Sequence, residues 1–294
     1  MTFVANEIAS QPSCWERAIE LSGSAPGLPE PGERVAVVGC GTSLFIAQSY
    51  AALRESAGLG ETDAFAASEF PHGRAYDKVV AICRSGTTTE VLELLRATSL
   101  PTVAVIGDPA TPIVELADVR IVLDFADEKS VVQTRFATTA LTLLRAHLAR
   151  SVPSLLPADL SAQAAAAVDA PLPPGAVGRT QFTFLGGGWT NGIAHEAALK
   201  LREASGSWTE SYPAMEYRHG PISVTDSDSV VWFFGPAPDG LVAEVERTGA
   251  IVSVSALDPV ADLIRAQRLA VALAEAKGVN PDEPRNLTRS VILA

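Results

Sequence analysis

A chain of 294 residues that is 47% apolar and 19% charged can bury sizeable cores, and it has room for two domains or one large α/β domain. A formal net charge of −12 argues against duplex nucleic acid or an anionic membrane as the main partner. A small anion held by local dipoles and a few donors remains compatible with that charge.

The amino terminus carries Glu7 and Gln11-Pro12 with no basic stretch leading into a long apolar run, so no signal peptide is expected. No window reaches the ~18–20 apolar residues of a membrane span. Cys14, Cys40 and Cys83 are odd in number and lack ligand-like spacing, which points to no disulfide framework, no structural metal and a reducing, cytoplasmic setting. The segment ANEIASQPSCWERAIELSG reads as a separate helix around 13–21.

VAVVGCGTSLFIAQSYAALRE at 35–55 then aligns without a gap on FTFLGGGWTNGIAHEAALKLR at 182–202. Each is a buried strand, a G-x-G turn, a hydroxyl residue (Ser43 or Thr190) and an amphipathic Ala-rich helix. KVVAICRSGTTTEVLELLRAT at 78–98 has its counterpart in DSVVWFFGPAPDGLVAEVERTG at 228–249, and TVAVIGDP at 102–109 has its own in IVSVSALDP at 251–259. Continuous apolar strands alternating with helices predict a mostly parallel, doubly wound sheet covered on both faces, in two copies.

A helix over 130–149 closes the first copy. Prolines at 153, 157, 171, 173 and 174 mark the connection, with a short helix over 160–170. The expected organisation is a helical segment at 1–24, domains at 25–152 and 176–280, a linker at 153–175, and a tail at 281–294, which the resemblance given below makes the segment that closes the active site. The second copy is shortened after 259, where its last strand and crossover should lie, which predicts a reduced sheet edge.

In open parallel sheets ligands bind beyond the carboxyl ends of the strands. There the loop Cys83-Arg84-Ser85-Gly86-Thr87-Thr88-Thr89 gathers hydroxyls and backbone N–H groups at a helix N-terminus, a construction suited to phosphate, although helix capping uses the same residues. Thr42 and Ser43 of GCGTS can add donors. That turn is not G-x-G-x-x-G, and G-x-x-x-x-G-K-[ST] does not occur, so neither a dinucleotide nor a triphosphate fingerprint is present. On the helix after GGGWTN, Glu196, Lys200 and Glu203 share a face. Periodicity alone leaves a surface ion-pair stripe and a catalytic face both open. Glu210, Glu216 and His219 follow among aromatics and helix breakers, and His72 stands without companions.

EAALKLRE, the YPAMEYRHGP loop and the terminal PRNL segment together resemble the sugar isomerase (SIS) domain family, in particular the two-domain isomerase portion of glucosamine-6-phosphate synthases. The likeness runs from NEIASQP to PRNLTRSV. It implies tandem α/β/α units, a phosphorylated sugar as substrate, no cofactor and a homodimer. It makes Thr42, Ser43, Arg84, Ser85, Gly86, Thr87, Thr88, Val132 and Thr134 substrate-binding residues, with Ser85 and Thr88 holding the phosphate. Glu203 becomes the base that moves a proton between C1 and C2, with Lys200 beside it and Glu196 as the outer glutamate of the helix. His219 becomes the ring-opening histidine, supplied across the dimer interface.

The resemblance has three departures. The sequence begins Met1-Thr2-Phe3, with no N-terminal cysteine nucleophile, so glutamine-dependent transfer is expected only if another protein delivers ammonia. The second unit is shortened, as noted. In the tail, Arg289 stands where the family carries a Schiff-base lysine, and a guanidinium is protonated at any physiological pH and cannot serve as a nucleophilic amine. Arg289 can still clamp a phosphate or hydroxyl. The expected activity is therefore a metal-independent phosphosugar isomerase or amino-sugar-phosphate isomerase/deaminase. A fructosamine-phosphate deglycase and a non-catalytic sugar-phosphate-binding regulator are the alternatives.

Overall fold

Strands that are apolar on both faces are stable only between two helical layers. The computed structural model, which describes residues 2–293, builds two such sheets in two compact units. Elements are numbered along the chain, beginning with helix α1 (Phe3–Ala9) and helix α2 (Gln11–Ser22).

One unit comprises Ser10–Glu128, Gln133–Ala158 and the tail from Thr288. It contains α2, strand β1 (Val35–Gly39), helix α3 (Thr42–Ser56), β2 (Thr62–Ala66), β3 (Lys78–Cys83), α4 (Thr89–Ala97), β4 (Thr102–Ile106), β5 (Val119–Val122) and α5 (Arg135–Ala149). The sheet is all parallel in the order β2-β1-β3-β4-β5. Its core on one face includes Ala36, Val38, Val79, Ala81, Ala104 and Ile106. The strand order reverses between β1 and β3, so the loops after these strands flank the switch-point crevice where α/β sheets bind ligands. These loops are GCGTS and CRSGTTT.

The other unit comprises the chain up to Ala9, Lys129–Val132 and Asp159–Leu287. Its elements are α1, α6 (Leu160–Asp169), β6 (Gln181–Gly186), α7 (Thr190–Ser205), β7 (Trp208–Pro213), β8 (Ser229–Phe234), α8 (Leu241–Glu246), β9 (Ile251–Ser253) and α9 (Pro259–Ala276). The parallel sheet runs β7-β6-β8-β9, which repeats the first sheet's order with one strand fewer. After β9 the chain turns into α9, whose first turn is capped by the Asp258 carboxylate accepting from Val260 N at 3.0 Å. The reduced sheet edge expected after 259 is present.

The repeat has a steric basis. A Cβ on Gly39 would lie 2.6 Å from the Ser43 backbone, and one on Gly186 would lie 2.2 Å from the Thr190 carbonyl oxygen. In both units the helix therefore starts against the strand end, and only glycine fits. Gly41 and Gly188, two residues further on, have φ of 55° and 56°.

The helix expected over 130–149 begins at Arg135 instead. Residues 129–130 are held in irregular backbone by Glu7, whose carboxylate accepts from Lys129 N at 2.6 Å and from the Ser130 hydroxyl. A carboxylate that satisfies loop amides competes directly with helix hydrogen bonding. Among the described residues no helix is long and apolar enough to cross a membrane.

Candidate active site

The first cluster lies at the ends of β1 and β3. Thr42 and Ser43 open α3 and are buried, as is Ser85 in the loop after β3. Ser85 Oγ and Thr88 Oγ1 are 3.4 Å apart, Ser85 Oγ accepts from Thr87 N at 3.3 Å, and Gly86 holds φ of 62°. A side chain at Gly86 would run into Thr111, whose Oγ1 lies 2.0 Å from the position of a Cβ. The loop thus brings the Ser85 and Thr88 hydroxyls together beside the first amide of α4.

In this structure the chain's own tail fills that place. Ser85 Oγ donates to Ser290 Oγ at 3.1 Å, and Thr88 Oγ1 lies 3.3 Å from the same atom. Thr89 N donates to the Val291 carbonyl at 3.1 Å, and Leu293 N donates to Thr89 Oγ1 at 2.9 Å. Arg84, only 1% exposed, donates from Nη2 to the Arg289 carbonyl at 3.0 Å and pairs with Glu128 at 3.8 Å. Arg289 Nη2 reaches both Asp127 carboxylate oxygens, at 2.6 and 2.8 Å, and Nη1 donates to the Glu128 carbonyl.

Glu128 organises the neighbouring segment. Its Oε1 accepts from Thr134 N at 2.6 Å, Thr134 Oγ1 at 2.7 Å and Arg135 N at 2.9 Å, which caps the start of α5 with a carboxylate. Val132 is buried, and its carbonyl accepts from Ser130 Oγ at 2.7 Å. Sequence reasoning passed over Asp127, Glu128 and Ser290. Two acids directly before a Ser/Thr-containing segment that leads into a helix were the available signal for the first two.

The second cluster is on α7, in the other unit. Lys200 lies between Glu196, 3.5 Å away, and Glu203, with which it is in tighter contact. Glu196 is 0% and Lys200 1% exposed, so the surface-stripe alternative fails. The Glu203 side chain keeps 18% exposure. It lines a groove of about 790 Å³ with Arg202, Lys277, Asn280, Glu283 and Arg285. Burial holds Arg202 below the usual arginine range, an effect that Glu203 and Glu196 partly offset. Lys277 donates to the Ser205 carbonyl at 3.1 Å and to Ser207 Oγ at 2.7 Å, closing the C-terminal end of α7. Chemically, one partly exposed carboxylate is presented beside a buried ammonium and a groove with further cations.

His219 ends a short 3-10 turn, Glu216–His219, and is exposed. The turn is anchored by the buried Tyr217, whose hydroxyl meets Thr225 Oγ1, and by Arg218 on Glu244 at 2.8 Å. A different histidine, His195, was not picked out by the sequence reading. Its ring sits between Asn191 at 3.0 Å and Ser211 at 2.8 Å, and burial followed by the nearby Arg202 charge lowers its pKa. Among the described residues no group of three His, Cys, Asp or Glu is placed to hold a metal ion.

No protein-family model matches the chain. It is 24% identical, over 98% of its length, to the glutamine–fructose-6-phosphate aminotransferase (isomerizing) of Buchnera aphidicola subsp. Baizongia pistaciae, and it covers 58% of that protein. The chain therefore spans little more than half the length of this curated relative. Among solved structures, the glucosamine-6-phosphate deaminase of Thermotoga maritima superposes with a TM-score of 0.84 at 23% identity, covering 99% of this chain and 100% of that one. The C-terminal domain of the glucosamine-fructose-6-phosphate aminotransferase of Francisella tularensis gives 0.81 at 22% identity, covering 97% and 98%. The fold is thus the tandem SIS-type phosphosugar-isomerase fold, resembling the isomerase portion of the aminotransferase.

Proposed function

We propose that this protein acts on a phosphorylated sugar or amino sugar as an aldose–ketose isomerase, with or without loss of ammonia. The observation that carries the reading is the α7 constellation, in which a fully buried lysine is flanked by two glutamates and only Glu203 reaches a groove. A phosphate-binding regulator would need the hydroxyl loop alone, and burying Glu196 and Lys200 has a desolvation cost that binding phosphate does not require.

In the proposed reaction Glu203 removes the proton from the carbon beside the carbonyl and returns it to the neighbouring carbon. The Lys200 ammonium offsets negative charge on the enediolate oxygen, and Glu196 keeps that ammonium charged and oriented. His219, from the partner subunit of a homodimer, moves the ring-oxygen proton. Thr42, Ser43, Ser85, Gly86, Thr87 and Thr88 take the phosphate through hydroxyls and backbone amides, while Arg84, Val132 and Thr134 bound the sugar. No step requires a metal. With arginine at 289 no enzyme imine forms, so nitrogen leaves as the substrate's own amine.

The test is a panel of sugar and amino-sugar 6-phosphates, including fructose 6-phosphate and glucosamine 6-phosphate, incubated with purified protein. Ammonia release and solvent hydrogen exchange at C1 and C2 are followed, and at least one member is expected to exchange. Binding without exchange or release across the panel favours the non-catalytic alternative. Release of an amino acid from a fructosamine phosphate identifies the deglycase.

A further inference from the structure

The groove beside Glu203 carries charge and apolar surface that proton transfer alone does not use. Three cations line it from three places in the chain: Arg202 on α7, Lys277 just after α9, and Arg285 in the segment that follows. Neutral oxygens hold the first two. Arg202 Nη1 donates to the Thr209 carbonyl at 3.3 Å and to Thr209 Oγ1 at 3.2 Å, and Lys277 donates to the Ser205 carbonyl and Ser207 Oγ. Such contacts fix the side chains without neutralising them. Burial lowers the Lys277 pKa, and no carboxylate offsets it. Among the described residues Arg285 makes no hydrogen bond and no ion pair. Against the three cations stand only Glu283 and Glu203 itself, so with both acids ionised the groove keeps one surplus positive charge, in a chain whose net charge is −12. Leu199, Val279, Pro284 and Leu287 supply apolar wall, and Leu287 is 45% exposed.

On the proton-transfer reading, Glu203 acts at C1 and C2, so whatever those carbons carry lies in this groove. A hydroxyl or an ammonium there leaves the surplus charge unanswered and the apolar wall wet. The space, about 790 Å³, falls within the range of about 300–1,000 Å³ that sites for larger ligands occupy. An amphipathic monoanion answers both features, because its charge matches the single surplus and its body covers the apolar side chains.

We propose that Arg285 and Lys277 form a carboxylate subsite, and that the substrate is a sugar phosphate whose nitrogen, on C1 or C2, belongs to an apolar amino acid. This rests on the proton-transfer reading and names the amine that leaves in place of ammonia. Glu203 takes the proton from the carbon bearing nitrogen and returns it to the neighbouring carbon, which converts the C–N bond into the substrate's own imine. Water adds to the imine carbon and the C–N bond breaks. The oxygen of that water becomes the new carbonyl and its two protons end on nitrogen, so one water is consumed per amino acid released and nothing is oxidised overall.

Two ligands that differ by the carboxylate decide it: the 1-amino-1-deoxyfructose 6-phosphates of valine and of isobutylamine, the amine that valine becomes on losing CO₂. Affinity for the full chain is measured by calorimetry, and solvent hydrogen exchange at C1 is followed in the same samples. The valine conjugate is expected to bind about fivefold tighter, the effect of about one exposed charge pair, with the gap narrowing as salt is raised. Arg285→Gln is expected to close most of that gap, and Arg285→Lys to keep part of it. Arg285 is exposed, so neither change threatens folding. Equal affinities, a gap unchanged by Arg285→Gln, or no binding of either conjugate overturns the subsite. A gap without exchange keeps the subsite and removes Glu203 as the base, whereas exchange without a gap keeps the isomerase reading and overturns the subsite.

Discussion

Replacing Arg289 with alanine should strengthen anion binding at the hydroxyl loop. The tail and a phosphate need the same donors, because Ser290 engages Ser85 and Thr88 and the Val291 carbonyl takes Thr89 N. Five hydrogen bonds between tail and loop contribute about 1 kcal/mol each, while ordering the tail backbone costs about 1–2 kcal/mol per residue. These terms nearly cancel, so tail docking is marginal and any single anchor shifts it. The contact of Arg289 Nη2 with the two Asp127 oxygens is close, but the side chains are 37% and 30% exposed, which limits it to about 1 kcal/mol. Losing it lowers the docked-to-free ratio about fivefold, so from a near-even balance the free fraction, and with it the apparent affinity, rises by a little under twofold. Calorimetric titration with inorganic phosphate at fixed ionic strength reads this directly. Weaker binding by the variant would refute the reasoning and make Arg289 a direct phosphate clamp.

Glu203→Gln should retain sugar-phosphate affinity within a few-fold and lose roughly 10²–10⁴ in turnover and in solvent hydrogen exchange at C2. Unchanged exchange would remove the residue from its role. Lys200→Met leaves Glu196 buried without its ammonium and should cost about 3 kcal/mol of stability, read as a lower midpoint in urea. His195 has a folded pKa below its unfolded value, so the unfolded state binds protons first as pH falls below about 6.5. Its stabilising contribution is therefore present above that pH and is lost as pH drops toward the folded pKa. Calorimetry between pH 7.5 and 5 should show a flatter decline for His195→Gln, and an identical slope would contradict the assignment.

The fold was legible because its two strongest constraints are local. Continuous apolar strands demand two helical layers, and a glycine four residues before Ser43 or Thr190 is required by direct steric contact. Both appear in any single stretch of sequence, and their recurrence at 35–55 and 182–202 exposes the duplication. The start of α5 was misjudged because its determinant is distant in the chain. Glu7 holds 129–130 from more than a hundred residues away, and no local propensity reports that. Periodicity placed Glu196, Lys200 and Glu203 on one face but could not say which face. Burial of the first two rules out a surface stripe, and burial is a property of the packed helix. Ser290 stayed hidden for a related reason, since a lone serine three residues past Leu287 carries no pattern.

Arg289 shows where single-residue comparison misleads. Read alone, it is a lysine exchanged for a base too strong to act as a nucleophile. In the structure it belongs to a set with Asp127 beneath its guanidinium and Arg84 on its carbonyl. Converting it back to lysine would place an ammonium against the Asp127 carboxylate, which favours the charged form and suppresses the free amine that imine formation needs. The chemistry at this position is thus fixed by the pair. On the proposed reading, an aspartate at 127 therefore disfavours an enzyme imine whichever cation occupies 289.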